Sequence, residues 1–320
     1  DVKQFPLRDM AKFFPDYTAE DTIKTYAVFG GVPHYLALCR PDRPLRQNII
    51  DLLMKETGAL IEEPEFLLKT ELDKPKTYSG ILAAIAGGCS STGTIAGRLQ
   101  VQPPSLGPYL SKLMRLDLIT SERSLHADDR ARNRRLRLND QLLAFWYRFV
   151  EPNRSAIASG FGEQVYDTIV DRDFSMFMGS AFETVCREYA RRHLDEITGV
   201  PANEVGALWG FPDFDIDMAG TLLDRTPFFG EAKWQGARID MGMVETLKLR
   251  ADKSGYGGKT SGKQFLFFSR NGFKPEVEAR AKADASIKLI TPEMLVRPPA
   301  LAYREDLVED TESGPPGLKG

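Results

Sequence analysis

Cysteine and histidine are scarce in this chain, three of each in 320 residues. Cys39, Cys89 and Cys186 stand far apart, which gives neither a zinc cluster nor a disulfide framework and fits a reducing cytoplasm. His34, His126 and His193 are equally scattered, each read as structural or solvated rather than as a ligand. No apolar run approaches the roughly 18 residues of a membrane span, and no signal-peptide pattern opens the chain. The expectation is a cytoplasmic protein with no membrane partner. A formal net charge of -3 supplies no global attraction to nucleic acid, so any such contact must come from local basic clusters. Nothing matches the phosphate-loop pattern G-x-x-x-x-G-K-[ST]. Asp1 in place of Met reads as a fragment or a processed chain.

What is present is ordinary globular material, 42% hydrophobic, in a length suited to two or three domains. The chain is organised around Phe211 to Gln235, which reads as a β-hairpin. Phe214, Ile216 and Met218 alternate with Asp215 and Asp217, so a strand puts the apolar set on one face and the carboxylates on the other. Phe228, Gly230, Ala232 and Trp234 alternate with Phe229, Glu231, Lys233 and Gln235. A turn at Leu223-Asp224-Arg225 sets Asp217 opposite Glu231, with Cβ atoms about 5 Å apart. Two carboxylates that close call for a cation between them, and Mg²⁺ (or Mn²⁺) suits them because it binds through few carboxylates and keeps waters. Lys233, on the same face, could hold or deprotonate an attacking water, or offset transition-state charge. A solvated sheet face with a Glu–Lys pair is the alternative.

Asp217, Glu231 and Lys233 resemble the active-site signature of the PD-(D/E)XK nuclease superfamily. Upstream, Gly179 to Leu194 reads as a helix burying Phe182, Val185, Cys186, Tyr189 and His193, with Glu183 at the edge of that face. The resemblance implies a further acidic ligand from such a helix, a role that Glu183 matches; the alternative is an i,i+4 ion pair with Arg187. A helix over Met241 to Asp252 and strands at Gln264 to Ser269 and Ile287 to Thr291 complete the nuclease core order. The loop Lys253 to Lys263 reads as flexible, near the site.

Lys76 to Asn139 reads as a winged helix-turn-helix. Its first helix carries Ile81, Leu82 and Ile85, and its second opens at an N-cap Thr92. The third follows Pro103-Pro104-Ser105 with the stripe Leu106, Leu110, Leu113 and Leu116. Tyr109, Ser111, Lys112 and Arg115 point outward from it, polar and basic enough to meet DNA. Leu118 to Arg123 and Arg134 to Leu138 read as wing strands. Arg130, Arg132 and Arg134 lie at the tip, and Arg135 and Arg137 alternate with Leu136 and Leu138, so that both guanidiniums face outward. This arginine run is the strongest local nucleic-acid signal; a solvated loop balanced by Asp128 and Asp129, or a wing used for protein contacts, is the alternative.

The first 70 residues read as helical, with Thr18 capping a helix through Val28, a break at Gly30, Gly31 and Pro33, a short helix, and another over Leu45 to Lys55. Thr25 to Leu36 (TYAVFGGVPHYL) resembles the lid motif of a family of archaeal-type AAA+ ATPases. Leu138 to Asn153 (LNDQLLAFWYRFVEPN) resembles the junction at which that family's winged helix enters a C-terminal nuclease-like domain. The resemblance runs to about Arg297. Its hairpin usually carries a Glu-Ile-Asp-like triplet, where Asp215-Ile216-Asp217 stands here. It implies a preceding nucleotide-binding domain or oligomeric partners, without ATP contacts from these residues.

The expected fold is therefore multi-domain α/β: a helical lid-like segment over 1–70, a winged helix-turn-helix over 71–154, a PD-(D/E)XK restriction-endonuclease-like mixed sheet flanked by helices over 155–298, and a disordered tail over 299–320. Ser155 to Gly162 reads as the linker and Gln164 to Asp171 as a short helix. The expected function is DNA binding with metal-dependent phosphodiester cleavage: Asp217, Glu231 and Glu183 as metal ligands and catalytic groups, Lys233 as the catalytic lysine. The alternatives are a non-cleaving DNA-binding or assembly module that regulates an ATPase, and a toxin-like or defence-associated effector.

Overall fold

The computed structural model describes residues 4–126, 134–258 and 262–297. Arg130, Arg132, the middle of the glycine–lysine loop and the tail over 299–320 lie outside the described residues.

Thr18 caps the helix Ala19–Phe29, its Oγ1 accepting the Asp21 N–H at 3.1 Å. Helices Pro33–Leu38 and Leu45–Leu53 follow as expected, and a further helix, Glu63–Glu71, carries only Pro64 and Leu68 as buried positions and is not evident in the sequence. Helices Pro75–Ala86, Thr92–Leu99 and Gly107–Arg115 then lead into antiparallel strands β1 (Ile119–Arg123) and β2 (Arg134–Leu138), in the order of a winged helix-turn-helix. The second of these helices is capped by Ser91 rather than Thr92, because Ser91 and Thr94 satisfy each other's backbone N–H groups in a capping box.

The aromatic run 142–150 is buried, and Trp146 Nε1–H donates to the Ile61 carbonyl at 2.8 Å. Ser155 to Gly162 is not a linker. It forms the helix Arg154–Ala158 with Ile157 buried, and a Cβ at Gly162 would stand 1.6 Å from the Met54 carbonyl oxygen. From Gly162 the chain stays helical through a wide π turn, Tyr166–Val170, into the long helix Asp171–His193. The short helix expected over Gln164 to Asp171 is thus the start of one continuous rod.

Strands β3 (Ala202–Leu208), β4 (Ile216–Leu222), β5 (Pro227–Lys233), β6 (Gln264–Ser269) and β7 (Ile287–Ile290) lie side by side in chain order in one five-stranded sheet. β3, β4 and β5 pair antiparallel, while β6 pairs parallel with both β5 and β7. The parallel pairs require crossovers, supplied by helices Met241–Ser254 and Pro275–Ala283. Met218, Phe228, Ala232, Leu266 and Phe268 pack with the long helix on one face. Phe229, Phe265 and Phe267 pack with Val244, Leu247 and Val277 on the other. Covering both faces explains why β5 and β6 read as apolar runs.

The first of these cores continues from Leu7 to Val296, taking in the N-terminal helices and the winged unit. Glu20 meets Arg270 at 2.7 Å and Arg46 meets Asp167 at 2.7 Å across the same junctions. The divisions expected near 70 and 154 fall within shared packing.

Candidate functional site

The hairpin register pairs Met218 with Gly230 and Ala219 with Phe229, and one further step along it sets Asp217 against Glu231. Arg225, at φ 69°, closes the turn by donating to the Leu222 carbonyl at 2.9 Å. Asp217 Oδ2 accepts the Ala232 N–H at 3.1 Å, which fixes its carboxylate on the β5 backbone between Glu231 and Lys233. The strict alternation expected at the start of β4 does not hold. The β3–β4 register shifts between Gly206 and Leu208, and Ile216 packs with Ala219 and Phe229 in the core opposite to that of Met218. Asp215 lies ahead of the strand, and its carboxylate binds Arg135 at 2.7 Å.

Glu231 is 7% exposed. Its Oε1 meets Lys233 Nζ at 2.5 Å, while its buried Oε2 has no hydrogen-bond partner among the described residues and lies 4.0 Å from Arg250. Burial pushes the Glu231 carboxyl above the usual carboxylate range and Asp217 adds to the push, against Lys233 and Arg250. Burial pulls the Lys233 ammonium down, but Glu231, then Asp217 and Glu183, outweigh it and leave Lys233 above its ordinary value. Lys233 is therefore a charged donor at neutral pH. The sequence left open whether it could deprotonate a water; as arranged, it holds its proton.

The long helix brings in Glu183, whose carboxyl is raised by burial and then by Asp217, with Arg187, Arg137 and Lys233 opposing. Four groups named from sequence thus share one electrostatic neighbourhood. The ion pair weighed for Glu183 is also present, to Arg187 at 3.7 Å, and a second reaches Arg137 at 3.7 Å. Arg187 is buried and donates to the Asp217 carbonyl at 3.1 Å. It ties the helix to the hairpin, a role beyond that of a surface i,i+4 partner. Its position on the buried stripe one turn after Glu183 was the available signal. His193, expected on the buried face, is half-buried beside Glu196 at 3.3 Å.

The wing arginines do not both face solvent. Arg135 binds Asp215 and sits 4.7 Å from the Trp209 ring centroid, and Arg137 lies 3.2 Å from Glu122 as well as near Glu183. Acidic groups on the sheet and the long helix draw these cations inward. Arg134 remains exposed, its Nη1 donating to the Ser121 carbonyl at 3.4 Å. Tyr109, expected to point outward, is half-buried with its ring edge-on to Tyr78 at 5.2 Å. Lys112 is half-buried and Arg115 exposed, neither in an ion pair among the described residues. A cleft of about 1130 Å³ runs between the N-terminal helices, the winged unit and the long helix; its lining mixes arginines, Arg191 and Arg192 among them, with as many acidic residues, Glu122 and Glu188 among them. Arg191 and Arg192 were not singled out in the sequence, where they read as the basic end of a helix.

Hard carboxylate oxygens beside a lysine suit Mg²⁺ or Mn²⁺ in chemistry, and Glu231 Oε2 accepts no hydrogen bond among the described residues, with Arg250 4.0 Å from it. The remaining oxygens are turned to Lys233, Arg137, Arg187 and the Ala232 amide. Among the described residues no three acidic, His or Cys groups converge in a metal-binding cluster. The candidate ligands Asp217, Glu231 and Glu183 would have to turn from these partners to hold an ion together.

Among the described residues no helix is long and apolar enough to cross a membrane. The chain is 27% identical over 238 residues to an uncharacterized protein, MJECL04, of Methanocaldococcus jannaschii, matching 73% of this chain and 52% of the relative. The chain thus spans about half the length of that curated relative. It also aligns with the crystal structure of protein VC1899 from Vibrio cholerae at 12% identity over 76% of this chain and 55% of that one, with a TM-score of 0.25, too low to bear on the fold. Residues 146–244, which run from the buried aromatic segment through the Glu183 helix and the whole acidic hairpin, match the DUF234 family, described as archaea bacterial proteins of unknown function.

Proposed function

We propose that this chain binds nucleic acid and cleaves a phosphodiester at the acidic hairpin with the help of a divalent cation. The observation that carries the reading is the hairpin pair Asp217 and Glu231 beside Lys233, which lies 2.5 Å from Glu231, with Glu183 acting on Asp217 from the long helix and Glu231 Oε2 buried without a hydrogen bond among the described residues. Mg²⁺ or Mn²⁺, held by Asp217 and Glu231 with Glu183 assisting, would supply Lewis-acid polarisation of the phosphate. The residues do the rest. Lys233, charged at neutral pH, donates to the attacking water or to the phosphate oxygens and offsets the charge that develops there. Arg187 holds the Asp217 backbone against the long helix and so fixes the spacing of hairpin and Glu183. Arg115, Lys112 and Arg134, free of ion pairs with acidic side chains among the described residues, bind the phosphate backbone. In this reading the chain works beside a nucleotide-binding domain of the AAA+ type, as its lid-like segment suggests.

The test is incubation of supercoiled plasmid with the chain and Mn²⁺ or Mg²⁺. Nicked or linear product that disappears with Glu231→Ala and with Lys233→Ala supports the reading; cleavage retained in both variants removes the hairpin from it.

A second reading draws on the contacts of Arg135 with Asp215 and of Arg137 with Glu183. Here the acidic groups serve to dock the wing, and the chain is a non-cleaving DNA-binding or assembly module that regulates an ATPase. A rise in Tm with Mn²⁺ that is lost in Glu231→Ala supports the metal site; an unchanged Tm supports the docking role.

A further inference from the structure

Beside the acidic hairpin three rings form a stack at the edge of the second core. His126 lies on Phe211 with centroids 4.5 Å apart and planes at 23°, and Phe211 lies on Phe214 at 4.6 Å and 7°. Phe214 immediately precedes Asp215, and β4 begins at the next residue, so the stack is joined to the strand that bears Asp217. Phe211 and Phe214 are half-buried against the sheet core; His126 is exposed and closes the outer end of the stack.

The outer ring is held in place. Its Nδ1 shares a hydrogen bond with Ser124 Oγ at 2.7 Å, and that buried hydroxyl accepts the Trp209 N–H at 2.9 Å. Leu125 N–H donates to the Ala207 carbonyl at 3.1 Å, pinning the segment to β3. The close approach needs a glycine opposite, since a Cβ at Gly206 would fall 2.8 Å from the Leu125 side chain. Apart from Phe211 and Ser124, His126 has no ring or hydrogen-bond partner among the described residues. At the inner end of the stack two cations meet Asp215: Arg135, which also lies on Trp209, and Arg250, whose Nη1 donates to the Asp215 carbonyl at 3.4 Å.

We infer that the free face of His126 is a stacking site for an unpaired nucleic-acid base. Every base offers a flat π-face, whereas a base within a duplex has both faces covered, so a fixed terminal ring selects single-stranded or flipped-out nucleotides. The inference rests on the nucleic-acid reading above and narrows it to single strands next to the hairpin.

The test is fluorescence anisotropy with a labelled single-stranded oligothymidylate and a duplex of equal length, in EDTA so that no cleavage intervenes. His126→Ala should weaken single-strand binding on the order of 5- to 100-fold, the effect of removing one stacking ring. It should change duplex affinity less than about twofold, and His126→Phe should restore single-strand binding. Undiminished single-strand binding in His126→Ala, an equal loss on both ligands, or no single-strand binding by the unmodified chain would each overturn the stacking site. Duplex binding and metal-dependent nicking that persist in His126→Ala would leave the broader reading standing.

Discussion

Glu183 illustrates how a single side chain separates a structural role from a functional one. Its carboxyl is raised by burial and by Asp217. A carboxylate whose folded value is raised adds stability at pH below its unfolded value of about 4.3, and that contribution is lost as pH rises through the folded value. At neutral pH the ionised group is thus a net burden that a neutral isostere removes. Glu183→Gln should therefore raise Tm at pH 7.5 and show little difference below about pH 4. A lower Tm at pH 7.5 would mean that the Arg137 and Arg187 contacts outweigh burial. If the site cleaves, the same variant should lose activity while gaining stability, the usual trade at a strained functional position. Lys233 is raised as well, so its linkage has the same sign, with stability lost only as pH rises through its folded value. Raised by Glu231, it keeps its charge through neutrality and gives no inflection near pH 7 in a pH–rate profile.

At the scale of elements, the wing is fastened to the sheet by its own basic residues. Arg135→Ala removes a partly exposed ion pair and a cation–π contact, which together contribute roughly 1–2 kcal/mol. The loss should be read in urea unfolding, and an unchanged midpoint would show that the Asp215 and Trp209 contacts add nothing to stability. The elements themselves were legible in the sequence: Ile119–Arg123 and Arg134–Leu138 follow from alternation, the hairpin register from its turn, and Gln264–Ser269 from its aromatic run. Their docking was not. Arg135 and Arg137 alternate outward from Leu136 in either case, and only the position of Asp215 and Glu183 in space turns them inward. Likewise Ser155 to Gly162 has the small residues of a linker, and the burial of Gly162 depends on a surface near Met54 that is more than a hundred positions away.

Over the whole molecule, one core joins parts that the sequence presents as separable. Trp146 reaches back to Ile61, Glu20 meets Arg270, and the apolar cluster that holds the winged unit also holds the long helix. Such continuity predicts a single unfolding transition, with far-ultraviolet circular dichroism and tryptophan fluorescence superimposing in urea. Two resolved transitions would restore the division near 154. The shared core also makes the spacing of winged unit and acidic hairpin a fixed property, so on the proposed reading nucleic acid held by the one would be presented to the other at constant distance. The claim that depends on this arrangement is cleavage at the hairpin, and plasmid nicking with Mn²⁺ and with Mg²⁺ by the unmodified chain and by Glu231→Ala measures it directly. Nicking that requires both the metal and Glu231 is the predicted result; intact plasmid under both metals, with salt-sensitive DNA binding preserved, would contradict it.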